Sequence, residues 1–206
     1  MTASPTPPPS GNTWKWVAFG CGGVALVMIG AIAALAFFAQ RYLTLAVDPE
    51  SAATKASEMM DYEIPGGAVG VVAIGLGPMQ MAGVASAQKP ADTSLFVGKM
   101  AGYAGQVDIN EMQRSFEGEA EVPGTTFRVT AQQEESRQLC GQAVTVLVAD
   151  GEQTDTNAAP GETVRAAVNM QTVVEYEADV FFVSLTTAGD GARDRANQVF
   201  DSLNCR

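Results

Sequence analysis

VFFVSLTTAGDGARDRANQVFDSLN, residues 180–204, places a strand and a helix next to each other and thereby indicates the fold class. Its first part, 180–186, is rich in β-branched and aromatic residues, which is typical of a strand. After the glycines, Ala196, Val199, Phe200 and Leu203 recur at the spacing that gives a helix one apolar face. We therefore predict a strand followed by a closing helix at about 191–204.

Most of the preceding segments are predicted to be strands. Apolar runs on both sides of a Gly-Pro turn predict a hairpin, and alternating or apolar runs predict further strands. Asp48 and Pro49 begin a first helix, and Asp108 caps a short one. The predicted strands lie at 68–74, 79–85, 94–100, 127–132, 143–149, 163–170, 172–176 and 180–186. Strands grouped between helices predict an α+β fold, a mainly antiparallel sheet with flanking helices.

This order of elements resembles the PsbP-like α/β/α domain over about residues 48–206. The resemblance is carried by DYEIP at 61–65, by the long run of strands, and by VFFVSLTTAGDGARDRANQVFDSLNC at 180–205. It implies a non-enzymatic accessory or binding module, a domain type that many bacteria hold at the membrane with an N-terminal anchor. It transfers no functional residue to this chain.

An uncharged apolar run in the N-terminal part predicts a transmembrane helix at 14–41. No residue from Trp16 to Ala39 is charged, which gives about 24 residues, or roughly 36 Å of helix, against a hydrocarbon core of about 30 Å. Trp14 and Tyr42 lie at its two ends, where aromatic rings prefer the headgroup level. We expect the chain to contact the lipid bilayer through this segment, as a retained signal anchor.

Two alternatives compete with a retained anchor. A cleaved signal peptide would use the small residues around Ala36, but its apolar core is normally about 7–15 residues, which is shorter than this run. A lipoprotein would use Cys21, but that residue lies near the start of the apolar run and lacks the expected aliphatic residue three positions earlier.

The predicted organisation is a proline-rich, disordered tail at 1–13, the transmembrane helix at 14–41, a linker at 42–47 and an acidic domain at 48–206. All 23 acidic residues follow Gln40, and the whole chain has a formal net charge of −11. An acidic domain repels phosphate backbones, so we expect no nucleic-acid partner. Because the tail is short, we place the domain on the periplasmic or extracellular side of the cell membrane, in a single-pass topology.

Residue types restrict the chemistry. The chain contains no histidine, which excludes imidazole-based acid–base catalysis and imidazole metal ligands. A Gly75-Leu-Gly77 sequence lacks the third glycine of a dinucleotide fingerprint, since position 80 is Gln80. The oxygen-rich stretch 150–157 (Asp150, Glu152, Asp155, Asn157) offers ligands for a hard cation, but its spacing does not match an EF-hand. The sequence thus assigns no catalytic residue, no cofactor and no metal ligand.

The interpretation that these patterns favour is a membrane-anchored, non-catalytic binding or accessory module whose protein or small-molecule partner is unknown. The alternative is a membrane-tethered hydrolase that uses carboxylates without histidine. Its candidate groups are Glu134 and Glu135, and Glu175, Glu177 and Asp179. A catalytic pair needs one carboxyl with a raised pKa, whereas these residues lie at predicted strand ends and turns, where solvation is expected.

The cysteine count predicts one disulfide. Cys21 lies in the predicted membrane segment, which leaves Cys140 and Cys205 as a pair in a domain assigned to an oxidising compartment. The alternative is two free, buried thiols in a domain that faces the cytoplasm.

Overall fold

The computed structural model describes residues 43–46, 48–109, 111–112, 125–155 and 164–206. The described elements are, in chain order, β1 (Leu43–Ala46), α1 (Pro49–Met59), β2 (Met60–Asp61), β3 (Ala68–Leu76), β4 (Met79–Ser86), β5 (Thr93–Met100), β6 (Thr125–Leu139), β7 (Gln142–Asp155), β8 (Arg165–Tyr176), β9 (Asp179–Ala188), α2 (Ala192–Asp201) and β10 (Asn204–Cys205).

Antiparallel pairing joins eight of these strands into one sheet, in the order β1-β3-β4-β5-β9-β8-β7-β6. The short strands β2 and β10 pair separately. This architecture confirms the predicted α+β class with a mainly antiparallel sheet.

Both helices pack on the same face of the sheet, which we call the helix face. A row of directly opposed side chains crosses this face through five neighbouring strands, and all five are fully or almost fully buried: Val84, Leu95, Leu185, Met170 and Val148. Ala52, Ala56 and Met59 of α1 belong to the same apolar cluster as Ala196 and Phe200 of α2. The main core therefore lies between the helices and this face.

Helix α1 begins where the sequence predicted. The Asp48 side chain accepts a hydrogen bond from the backbone N–H of Ser51 at 2.9 Å, and Pro49 occupies the first helical position. The helix ends at Met59, because Met60 and Asp61 pair with Cys205 and Asn204. Asp108 caps a helical turn in the same manner, since its side chain accepts from the Glu111 N–H at 3.2 Å.

Helix α2 is shorter than predicted. Its apolar face is confirmed, because Ala196, Val199 and Phe200 are fully buried. The helix stops at Asp201, whereas the sequence pattern suggested about Asn204, because the last residues turn into β10. A strand of two residues that pairs with a distant segment leaves no periodic signal in the sequence.

The strands beyond the hairpin are longer than predicted. The expected strand at 127–132 lies within β6, which continues to Leu139. In place of the two predicted strands 163–170 and 172–176, the structure has the single strand β8, which begins at Arg165 and ends at Tyr176. Pairing on neighbouring strands explains both differences, since β7 pairs with β6 along the whole of β6 and with β8 across Gln171.

The segment 42–47, predicted to be a linker, contains the edge strand β1. Leu43 to Ala46 lie opposite Leu76 to Ala73 of β3 in antiparallel register. The sheet therefore begins before the predicted domain start at Asp48. Four residues are too few for a periodic pattern, so only the pairing with β3 identifies this strand.

The predicted membrane segment at 14–41 and the tail at 1–13 lie outside the described residues. Among the residues that are described, no helix is both long and apolar enough to span a bilayer.

Candidate binding surfaces

Glu135 belongs to an ion-pair network that joins β6 to α2. Its carboxylate accepts hydrogen bonds from Arg137, at 2.7 Å, and from Arg193 of α2, which also pairs with Asp150 of β7 at 3.4 Å. Burial acts to raise the pKa of Glu135, but the hydrogen bond from Arg137 and the charge of Arg193 outweigh it. The pKa therefore lies below its ordinary value.

A second acidic pair holds the loop 101–106 against the turn between β8 and β9. The Asp179 carboxylate accepts from the Gly102 N–H at 2.9 Å and pairs with Lys99 at 2.8 Å, while Glu175 accepts from the Gly105 N–H at 2.7 Å. The hydrogen bond from Lys99, helped by the one from Gly102, lowers the pKa of Asp179 against the opposing effect of burial.

Three carboxylates that the sequence analysis predicts to be solvated have a structural role instead. Glu135 fastens a helix to the sheet, and Glu175 and Asp179 fasten a loop. A general acid needs a raised pKa at neutral pH, whereas the pKa values of Glu135 and Asp179 are lowered. Neither residue fits the acid of the hydrolase alternative.

The stretch 150–157 is not the loop that a cation site would need. Up to Asp155 it belongs to β7, because pairing with both β6 and β8 keeps this chain extended. The Asp150 carboxylate faces Arg193 instead of an open coordination position. Asn157 lies outside the described residues. Within the described ranges, no group of three or more His, Cys, Asp or Glu side chains is arranged to hold a metal ion.

Cys140 and Cys205 are joined by a disulfide in the structure, the pairing expected from the cysteine count. Their Cα atoms are 5.2 Å apart, within the normal range for a disulfide. Cys140 lies in the turn between β6 and β7 and Cys205 in β10, so the bond fastens the chain end after α2 to the sheet. Both residues are buried.

Uncharged polar side chains are buried on the sheet face opposite the helices, which we call the open face. Four of them form what we call the polar strip: Gln153, Asn169, Gln171 and Thr186, each at most 7% exposed. Register places Asn169 between Thr186 and Ala149, and Gln171 between Ser184 and Leu147. The Asn169 amide donates to the Thr186 hydroxyl at 2.9 Å.

Gln153 and Gln171 supply two further buried amide side chains to this strip. Among the described residues, the only fully buried side-chain nitrogen or oxygen atom without a hydrogen-bond partner is Arg195 Nε, so neither glutamine buries an unsatisfied amide atom.

Two aromatic rings continue the open face beside the strip. Phe182 lies opposite Gly98, and Phe96 lies opposite Gly83. A Cβ atom added at Gly98 would overlap the Phe182 ring, and one added at Gly83 would crowd the Phe96 ring. These glycines therefore let each ring lie across the neighbouring strand, and the buried Phe182 ring packs with Val173 and Val180 in a second apolar cluster.

Sequence reasoning missed the polar strip. Asn169 and Gln171 alternate with Val168 and Met170, which are buried on the helix face. A strand whose apolar residues mark one face, and whose alternate positions are amides instead of charges, is a recognisable signal. The sequence analysis predicts two separate strands, 163–170 and 172–176. Gln171 then falls in the break between them, and the alternation that signals the strip is interrupted.

A further surface lies at the end of the sheet where β1 begins. Leu43 is paired with Leu76, Leu76 with Met79, and Met79 with Met100. We call the turn 76–79 and the loop 100–106 together the rim. No residue of the rim is charged. Leu76 and Tyr103 are exposed by 49% and 39%, so the rim presents apolar side chains to its surroundings.

Comparison with known proteins gives no family. No protein-family model matches the chain, and no curated protein matches it either. Among solved structures, it is similar to the crystal structure of LpqN, described as involved in cell envelope biogenesis of Mycobacterium tuberculosis. The two share 12% identity with a TM-score of 0.39, over 70% of this chain and 82% of that one. At that level of similarity, neither the fold nor the function of this chain is inferred from LpqN.

Proposed function

We propose that this protein is a membrane-anchored, non-catalytic binding module that presents its domain on the periplasmic or extracellular side. The observation that carries the binding role is the polar strip. This face buries amides and a hydroxyl beside an apolar cluster of Val173, Val180 and Phe182, and a few placed polar groups beside apolar side chains are the usual form of a ligand site.

The strip suits binding better than catalysis. Its members, Gln153, Asn169, Gln171 and Thr186, do not titrate near neutral pH, so they offer hydrogen bonds and no acid or base. A ligand that fits would be uncharged or weakly charged, with polar groups for the two glutamines and an apolar part for Phe96. Apolar pockets with a few placed polar groups are the usual form of small-molecule sites.

The membrane location is supported by the uncharged run between Trp16 and Ala39 and by the disulfide, which is typical of oxidising compartments. Sequencing the N-terminus of protein recovered from membranes tests the anchor. We expect a start upstream of Trp14. A mature start at Phe37 would show that the segment is removed and that the domain is secreted.

Capture from detergent-solubilised membranes tests the binding role. The full chain is used as bait beside Gln171→Leu, which removes a buried amide from the strip. The matched control is Gln138→Leu, at an exposed position of β6. We expect a bound molecule that is retained by the wild type and by the control but lost with Gln171→Leu. Equal capture by all three baits would refute a role for the strip.

A further inference from the structure

We propose that the rim rests on the lipid surface, so that the domain has a second contact with the bilayer besides its anchor. This inference rests on the proposed anchor. The partner is the headgroup layer of the membrane that the anchor crosses.

Chain connection brings the rim close to the membrane. The predicted membrane segment ends at Arg41, and β1 begins at Leu43. Two residues span at most about 7 Å, which is similar to the thickness of one headgroup layer, roughly 5–8 Å. Because Leu43 is paired with Leu76, the turn that follows Leu76 lies at the same end of the sheet. The opposite end of the sheet, where β8 begins, is a strand length away from this turn.

The charge pattern fits a lipid surface. The domain is acidic as a whole and should be repelled by anionic headgroups. However, the sequence has no charged residue between Glu63 and Lys89, and none between Lys99 and Asp108. The rim is drawn from these two uncharged stretches. The nearest charges belong to the acidic turn 175–179, where Glu175 and Asp179 bond to the loop 100–106, Lys99 pairs with Asp179, and Glu177 is exposed. Headgroups can therefore approach the turn 76–79 with less charge to desolvate than the turn 175–179.

The side chains of the rim also fit this partner. Leu76 is an exposed apolar residue, and Tyr103 combines an apolar ring with a hydroxyl, which is the type of residue enriched at membrane interfaces. Met79 and Met100 lie half-buried behind them. Unlike a single exposed leucine, which needs no explanation, this group lies beside the strand that follows the predicted anchor.

The rim is held in a fixed shape. The Ala101 N–H donates to the Pro78 carbonyl at 3.0 Å, which joins the loop to the turn. Bonds to Asp179 and Glu175 hold the loop from its other side. A surface that is already ordered loses little conformational entropy when it docks.

Photo-crosslinking to lipid tests the inference. The full chain is reconstituted in phosphatidylcholine vesicles that contain a phospholipid with a photoactivatable group near the glycerol, and the adducts are mapped by mass spectrometry. We expect adducts in peptides that cover 76–79 and 100–106, in addition to 14–41. Val129 and Val164, exposed by 49% and 55%, lie outside the rim and provide matched apolar controls without adducts.

A substitution makes the test specific. Leu76→Asp places a charge on the rim. Because the contact of the leucine side chain with lipid is lost, labelling of the rim should fall about tenfold. Val164→Asp should leave that labelling unchanged. Circular dichroism of both variants checks that the sheet is intact.

The possible outcomes separate this inference from the anchor. Adducts at 14–41 without adducts on the rim would overturn the inference and leave the anchor in place. Equal labelling of the rim and of Val129 and Val164 would also overturn it, because contact would then be random. Absence of adducts at 14–41 would overturn both, since the anchor itself would be missing.

Discussion

Reduction of the disulfide between Cys140 and Cys205 should strongly lower the stability of the domain. The bond closes a loop of 65 residues. In the chain-entropy model, a loop of that length restricts the unfolded chain enough to stabilise the fold by about 4 kcal/mol. The total stability of a domain is about 5–15 kcal/mol, so this bond would supply a large share of it.

The effect should also be visible locally. The Cys205 N–H donates to the Cys140 sulfur at 3.1 Å, and among the described strands β10 pairs with β2 alone. We expect the amides of β2 and β10 to exchange with solvent faster after reduction, before the central strands do. Central strands such as β9 have partners on both sides and bury most of their side chains.

Urea unfolding of the full chain in detergent micelles measures the effect, with circular dichroism as the signal. The variant Cys21→Ser leaves Cys140 and Cys205 as the two remaining cysteines. The free energy of unfolding is compared with and without a thiol reductant. An unchanged urea midpoint would refute the argument. Alkylation of both cysteines in unfolded, unreduced protein would do so more directly and would remove the support for an oxidising compartment.

Three further substitutions test the contacts described above. Glu135→Gln should destabilise the domain by about 2 kcal/mol at neutral pH, because two arginines lose a partly buried partner. Since the folded pKa of Glu135 is lowered, its contribution is complete above the ordinary value of 4.5 and is lost as the pH falls through the folded pKa. Asp179→Ala should cost about 1 kcal/mol and speed amide exchange in the loop 101–106. Gly98→Ala should cost about 1–3 kcal/mol, because its methyl group would overlap the Phe182 ring.

Each of these predictions has a matched control. Glu134→Gln changes the neighbouring exposed carboxylate and should leave both stability and its pH dependence unchanged. Asp190→Ala changes an exposed aspartate outside the loop and should not alter exchange at 101–106. Adding Phe182→Leu to Gly98→Ala should cost less than the sum of the two single changes. Purely additive costs would count against the overlap.

The features that sequence reasoning recovered are those with local causes. Asp48 caps α1 through a residue three positions away, and the hairpin of β3 and β4 turns at a Gly-Pro step. The spacing of Ala196, Val199 and Phe200 is enough to predict the buried face of α2. Because each signal is contained in a few consecutive residues, the order of these elements could be predicted without knowledge of the sheet.

The features that sequence reasoning missed depend on pairing with segments that are distant in the sequence. The edge strand at Leu43 depends on β3, and β10 depends on β2, so neither has a pattern of its own. The order of the strands decides which residues meet on the open face. Gln171 becomes a candidate ligand contact only because β9 and β7 place Ser184 and Leu147 beside it. The chemistry of that surface is thus a property of the register between strands, which no single stretch of sequence contains. Leu76 likewise becomes a candidate lipid contact only through its pairing with β1, the strand that begins two residues after the predicted anchor.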